Sequence, residues 1–140
     1  MSESIIVDTG ALWAWLHPGD QHHAWAAAQM ERLPPPLLTC EPVLGELSFL
    51  LKTYGGDPAK APELLSLGMV QVSMSLEDEA AAIVQMMRRY DNVPMSLADA
   101  CLVRLSEMRD RAVVLTTDSD FLIYRRHGRL VIPTLMPPRK

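Results

Sequence analysis

A chain of 140 residues is long enough for one core, since a domain of that size buries about two-thirds of the surface its unfolded chain exposes. The longest apolar stretches, such as Val43 to Leu51, are broken by Gly45, Glu46 and Ser48 and fall short of the ~18 apolar residues that cross a bilayer, so no membrane span is expected. The net charge of −4 argues against a general polyanion binder, but residues 1–70 carry three Lys/Arg against eight Asp/Glu while residues 71–140 carry ten against nine, so any basic surface belongs to the second half.

Met1-Ser2-Glu3-Ser4 lacks the basic and apolar regions of a secretory signal, and a cytoplasmic protein is expected. Ser4-Ile5-Ile6-Val7, ending at Asp8, predicts a buried strand. Thr9 to Leu16 predicts a helix stopped by His17-Pro18-Gly19-Asp20. Alanine-rich Gln21 to Arg32 predicts a second helix, ended by Pro34-Pro35-Pro36, and Leu37 to Thr39 a second strand. Pro42 suits the first turn of a helix reaching about Thr53, before Tyr54-Gly55-Gly56. Asp57-Pro58 opens another to about Leu67, and Met69 to Val72 predicts the third strand. Ser75 and Asp78 have capping-box spacing before a helix to about Tyr90, and Ser96 and Asp99 repeat it before a helix to about Met108. Ala112 to Thr116 predicts the fourth strand, Ser119 to Arg125 a short helix, and Leu130 to Ile132 the fifth strand. Strands separated by helices, with no two-residue hairpin signal, imply a parallel sheet covered on both faces. Residues 1–134 form one α/β domain on this reading, and 135–140 an exposed tail.

Four carboxylates stand out, each with two readings. Asp8 directly follows the first strand, at the edge where parallel sheets bind ligands; it also suits a helix N-cap. Glu46 falls on the border of a helical apolar stripe made by Val43, Leu44, Leu47, Leu50 and Leu51, off the solvated face. A carboxylate there needs a partner, either an arginine or a shared metal. Asp99 is the only charged side chain between Asp91 and Arg104, in a helix whose apolar profile implies burial; it also completes a capping box with Ser96. Asp118 follows the fourth strand and can cap the next helix, with Asp120 as a supporting or capping group.

Carboxylates about 4 Å apart repel by roughly 1 kcal/mol in water and about 4 at an effective dielectric of 20. A cation relieves that, and hard Mg²⁺ or Mn²⁺ prefers an all-oxygen set. Such a site suits phosphodiester hydrolysis, with Thr9, Thr116 or Thr117 as candidates for positioning the attacking water. Arg125, Arg126 and Arg129, with Arg139 and Lys140, are a candidate basic rim that meets phosphates beside the acidic pocket; on charge alone, a solvated charged surface is the favoured reading. Cys40 and Cys101 read as small core residues. His17, His22, His23 and His127 show no zinc-ligand spacing.

Ile6-Val7-Asp8-Thr9, Glu46 in Val43-Leu44-Gly45-Glu46-Leu47, Ser96-Leu97-Ala98-Asp99-Ala100 and Leu115-Thr116-Thr117-Asp118-Ser119-Asp120-Phe121 together resemble the PIN-domain nuclease family. The resemblance spans essentially the whole chain. It implies a three-layer α/β/α fold with a five-stranded parallel sheet and an Mg²⁺- or Mn²⁺-dependent ribonuclease activity. It also implies that Asp8, Glu46, Asp99 and Asp118 are the catalytic, metal-binding carboxylates. The compact size resembles the VapC-type toxin branch, which implies an endoribonuclease toxin of a type II toxin-antitoxin pair, a small antitoxin partner and a homodimer. A phosphatase of the haloacid dehalogenase type would need a second aspartate where Gly10 stands, and the acidic pair of a receiver domain is missing. A PIN-fold module that binds RNA or protein without cutting remains the alternative.

Overall fold

The computed structural model describes residues 3–138; Arg139 and Lys140 of the expected basic rim lie outside that range. The chain runs β1 (Ser4–Val7), α1 (Thr9–Leu16), α2 (His23–Arg32), β2 (Leu37–Thr39), α3 (Glu41–Thr53), α4 (Lys60–Ser66), β3 (Val70–Val72), α5 (Leu76–Arg89), α6 (Leu97–Glu107) and β4 (Ala112–Leu115). A 3-10 turn (Ser119–Leu122), β5 (Arg125–Arg126), β6 (Leu130–Val131) and β7 (Thr134–Leu135) complete it. Helix ends follow the expected chemistry: Pro42 lies in the first turn of α3, where its missing N–H costs nothing. The Ser75 hydroxyl accepts from the Asp78 N–H at 3.2 Å to start α5, and Arg88 and Arg89 close that helix where the dipole favours cations.

Five strands form a parallel sheet in the order β3-β2-β1-β4-β7. Neighbouring residues of β1 point to opposite faces, yet Ile6 and Val7 are both wholly buried, so protein covers the sheet on both sides. α6 is the most enclosed helix: Ala98 to Val103, Leu105 and Ser106 are all buried, as its apolar profile implies. The chain builds outward from β1 through β2 to β3, then returns to the other side of β1 as β4. The carboxyl ends of β1 and β4 therefore flank a topological switch point, where open α/β sheets form their binding crevice. Among the described residues, no helix is long and apolar enough to cross a membrane.

The C-terminal part departs from expectation. Leu130 and Val131 do not supply the fifth sheet strand; they pair antiparallel with Arg125 and Arg126 as a separate hairpin. Its turn closes through the Arg129 N–H donating to the Arg126 carbonyl at 3.3 Å, with both His127 and Gly128 at positive φ. That conformation usually selects Asn-Gly or Asp-Gly, so His-Gly gave no hairpin signal. The fifth strand is β7, beside β4, which puts Leu135 in the sheet and not in an exposed tail. Leu130 and Val131 are 44% and 66% exposed, whereas the Pro133 carbonyl accepts from the Val114 N–H at 2.9 Å and leads the chain into the sheet. The helix expected from Ser119 to Arg125 shortens to the single 3-10 turn. Cys40 and Cys101 are buried free thiols, as their reading as core residues requires.

Candidate active site

Asp8 sits between β1 and α1 with extended backbone, the conformation of a residue that leaves a strand and caps a helix. Its Oδ1 accepts from the Thr9 N–H at 2.7 Å, and its Oδ2 from the Thr116 hydroxyl at 2.8 Å. Thr116 directly follows β4, and its hydroxyl accepts in turn from the Asp118 N–H at 2.9 Å. One buried threonine thus ties together the aspartates at two adjacent strand ends. Asp118 caps the 3-10 turn, its Oδ1 accepting from the Asp120 N–H at 2.9 Å. Asp99 arrives from α6, where the capping box is complete: the Ser96 hydroxyl accepts from the Asp99 N–H at 3.0 Å, and Asp99 Oδ2 accepts from the Ser96 N–H at 3.2 Å. The box holds Asp99 in the first turn of α6, beside the other two aspartates.

Asp8, Asp99 and Asp118 each bring one oxygen within 4.8 Å of the others. At that separation two ionised carboxylates repel by roughly 1 kcal/mol in water and 3 to 4 at an effective dielectric near 20. The ion pairs among the described residues lie elsewhere, joining Arg104 to Glu79 and Glu107. No arginine or lysine therefore offsets the three aspartates from within the described chain. Three hard oxygens this close, with no sulfur or imidazole among them, fit Mg²⁺ or Mn²⁺.

Glu46 corrects an expectation. It is exposed, not turned off the solvated face. The buried stripe of α3 is Val43, Leu44, Leu47 and Leu51, narrower than the sequence suggests, and beside it Gly45 has open space. Glu46 reaches across to α1, where its Oε1 accepts from the Thr9 hydroxyl at 2.7 Å. Solvent contact removes the need for an arginine partner. Glu46 stands next to the three-aspartate group, close enough for its charge to act on Asp99.

Burial and crowding push in one direction. Asp8 is raised to about 7, chiefly by burial, with the Thr116 bond opposing and the charges of Asp99 and Asp118 adding to the rise. Asp99 is also raised, again mainly by burial, against the bonds from Ser96 and Tyr124. A site that resists ionisation when empty of positive charge is one that a cation stabilises.

Thr117 and Asp120 are half-buried at the same rim. A Cβ on Gly10 would fall 2.3 Å from Thr117 Oγ1, so the glycine lets α1 approach this loop. Tyr124, which the sequence reading passed over, is wholly buried and donates its hydroxyl to Asp99 Oδ2 at 3.0 Å. Its only advance signal is its place three residues after Phe121, the spacing of a helical turn. The arginines face other tasks. Arg126 Nη2 donates to the Ser106 and Arg109 carbonyls at 2.7 and 2.8 Å, capping the end of α6 opposite Asp99. Ser106 lies roughly 10 Å from Asp99 along the helix, at 1.5 Å per residue. Arg125 Nη1 bonds the Leu122, Ile123 and Tyr124 carbonyls, and Arg129 is exposed on the hairpin. A recess of about 450 Å³ lined by Thr9, Gly45, Glu46, Phe49 and Leu50 opens beside the carboxylates. Another, of about 480 Å³, lies near the amino ends of the strands, with Glu3 its one carboxylate, and lacks the acidic chemistry.

Residues 5–126 match the PIN domain as a family. The chain belongs to the PIN-domain family. Among solved structures, this PIN chain is similar to VapC20 of Mycobacterium tuberculosis, described as a sarcin-ricin loop cleaving toxin. The two are 28% identical with a TM-score of 0.74, over 84% of this chain and 92% of that one. No curated protein sequence matches the chain. The fold is that of a PIN nuclease resembling a VapC toxin, and it carries an acidic cluster able to hold a metal.

Proposed function

We propose that this PIN chain is an endoribonuclease that uses Mg²⁺ or Mn²⁺ to hydrolyse RNA phosphodiester bonds, with Asp8, Glu46, Asp99 and Asp118 as its catalytic and metal-binding carboxylates. The observation that carries the reading is the meeting of Asp8, Asp99 and Asp118 oxygens within 4.8 Å, with no ion pair to them among the described residues. A divalent ion bound there supplies positive charge to the carboxylates and to a phosphoryl oxygen, and makes water more acidic. Thr116 holds Asp8 and the Asp118 backbone in register. Thr9 holds Oε1 of Glu46, which leaves Oε2 to orient the attacking water or take its proton. Asp120 and Thr117 border the path of the RNA at this rim, while Arg129 lies on the hairpin at the far end of α6 and would meet only RNA that extends beyond the reacting phosphate.

The likeness to VapC20 supports a further step: the chain is the toxin of a type II toxin-antitoxin pair, acting in the cytoplasm and inhibited by a small antitoxin. Phe49 and Tyr54, 68% and 65% exposed on and just after α3, give an apolar surface for a protein partner, whether antitoxin or second protomer. The same surface suits the rival reading of a binding module that does not cut.

Purified protein incubated with single-stranded RNA and with a sarcin-ricin loop oligonucleotide separates the two. Cleavage is expected with Mn²⁺ or Mg²⁺, none with EDTA, and a loss on the order of 10²-fold or more in Asp8→Asn and Asp99→Asn. Cutting that ignores EDTA or these substitutions contradicts the proposal. Metal and RNA binding without cutting favours the binding module.

A further inference from the structure

Outside Asp8, each carboxylate of the site has one oxygen held by the chain and one left open. Asp118 Oδ1 is held by the Asp120 N–H, Glu46 Oε1 by the Thr9 hydroxyl, and Asp99 Oδ2 by the Ser96 N–H and the Tyr124 hydroxyl. Among the described residues, no hydrogen bond reaches Asp118 Oδ2, Glu46 Oε2 or Asp99 Oδ1. Because a carboxylate is planar, fixing one oxygen sets the direction of the other. The torsion that turns an aspartate carboxylate is broad and soft. The Ser96 N–H at 3.2 Å, at the long end for such a bond, restrains it from Asp99's own turn of helix only.

Tyr124 supplies the second restraint from a different segment. Its ring meets Phe121 and Tyr90 edge-on, both at centroid distances of 5.3 Å, and its N–H donates to the Asp120 carbonyl at 3.1 Å. The Tyr90 hydroxyl accepts from the neighbouring Arg125 N–H at 2.9 Å, so the ring is confined on several sides. Its single hydroxyl proton has two acceptors in range, Asp99 Oδ2 at 3.0 Å and the Pro94 carbonyl at 3.5 Å. The shorter contact, to an ionisable oxygen, is the stronger. A phenylalanine would fill the same apolar space, so packing alone does not call for the hydroxyl. Tyr124 also lies six residues after Asp118, in the segment that brings that aspartate to the site.

We infer that Tyr124 is a positioning residue of the candidate site: its hydroxyl fixes Asp99 so that Oδ1 is presented to Asp8 and Asp118, and its buried ring holds the Asp118 segment against α6. The inference rests on the metal-site reading proposed above. Partners of this kind, one bond removed from a metal, typically change metal affinity by about 10- to 100-fold when removed.

The test is Tyr124→Phe in the full chain, with Mn²⁺ affinity measured by calorimetry beside the metal-free melting temperature. The variant should fold, bind Mn²⁺ roughly 10-fold or more weakly, and need correspondingly more Mn²⁺ for half-maximal RNA cleavage. A merely structural tyrosine would move the melting temperature and leave Mn²⁺ affinity alone, which overturns the inference. In wild type, Mg²⁺ should also perturb the near-UV signal of a buried tyrosine, since charge arrives at the carboxylate its hydroxyl contacts; an unchanged spectrum overturns it as well. Wild type that binds no Mn²⁺ at all removes the metal-site reading itself, and this role with it.

Discussion

At Asp8 two demands conflict: the carboxylate must ionise to hold a cation, yet its burial favours the neutral acid. In an unfolded chain an aspartate ionises near pH 4, whereas Asp8 in the fold is raised to about 7. Between those values the native state keeps a proton that the unfolded chain has released, so this residue's contribution to metal-free stability falls as pH rises through that window. Asp8→Asn imitates the protonated carboxyl and lacks this slope. Relative to wild type, the variant's metal-free melting temperature should therefore rise between about pH 5 and about pH 8. A difference that stays flat with pH would mean Asp8 is not raised. Asp8, Asp99 and Asp118 were legible because strand ends and capping boxes are local signals. Glu46 was legible as a candidate but not as an exposed one, because the width of a buried stripe is set by what packs against it. Tyr124 was not legible: its partner Asp99 is 25 residues away, and nothing local marks a tyrosine whose hydroxyl meets a carboxylate.

Among the elements, α6 does most to shape the site. Its apolar body fixes it against the sheet, and its first turn presents Asp99 through the reciprocal box with Ser96. Ser96→Ala removes the acceptor for the Asp99 N–H. It should destabilise the protein by about 1 kcal/mol and, by loosening that turn, reduce the rise in melting temperature that Mn²⁺ produces. Unchanged stability and an unchanged Mn²⁺ response would show that the box does not hold Asp99. The helices and first four strands were readable from periodicity and capping residues. The last strand was not, because Leu130-Val131-Ile132 and Thr134-Leu135 are both short and apolar. Pairing of the first with Arg125 and Arg126 depends on a His-Gly turn that the usual hairpin signals omit.

For the whole molecule, strand order explains why residues so far apart in sequence converge. β1 and β4 are neighbours although most of the chain lies between them, and the Val7–Leu115 register brings Asp8 and Thr116 side by side just past the strand ends. α6 precedes β4 and delivers Asp99 to the same rim. A parallel sheet with this connectivity gathers acidic residues at one edge, and the fold supplies no cation in return among the described residues. Arg126 instead caps the far end of α6, and Arg125 the turn after the 3-10 segment.

The most direct measurement of that convergence is a crystal of the full chain soaked with Mn²⁺ and examined by anomalous scattering. The expected result is a peak at about 2.1 Å, an ordinary length for such bonds, from oxygens of Asp8, Asp99 and Asp118. A peak confined to other residues, or none at concentrations that support RNA cleavage, would contradict the metal site on which the functional reading stands.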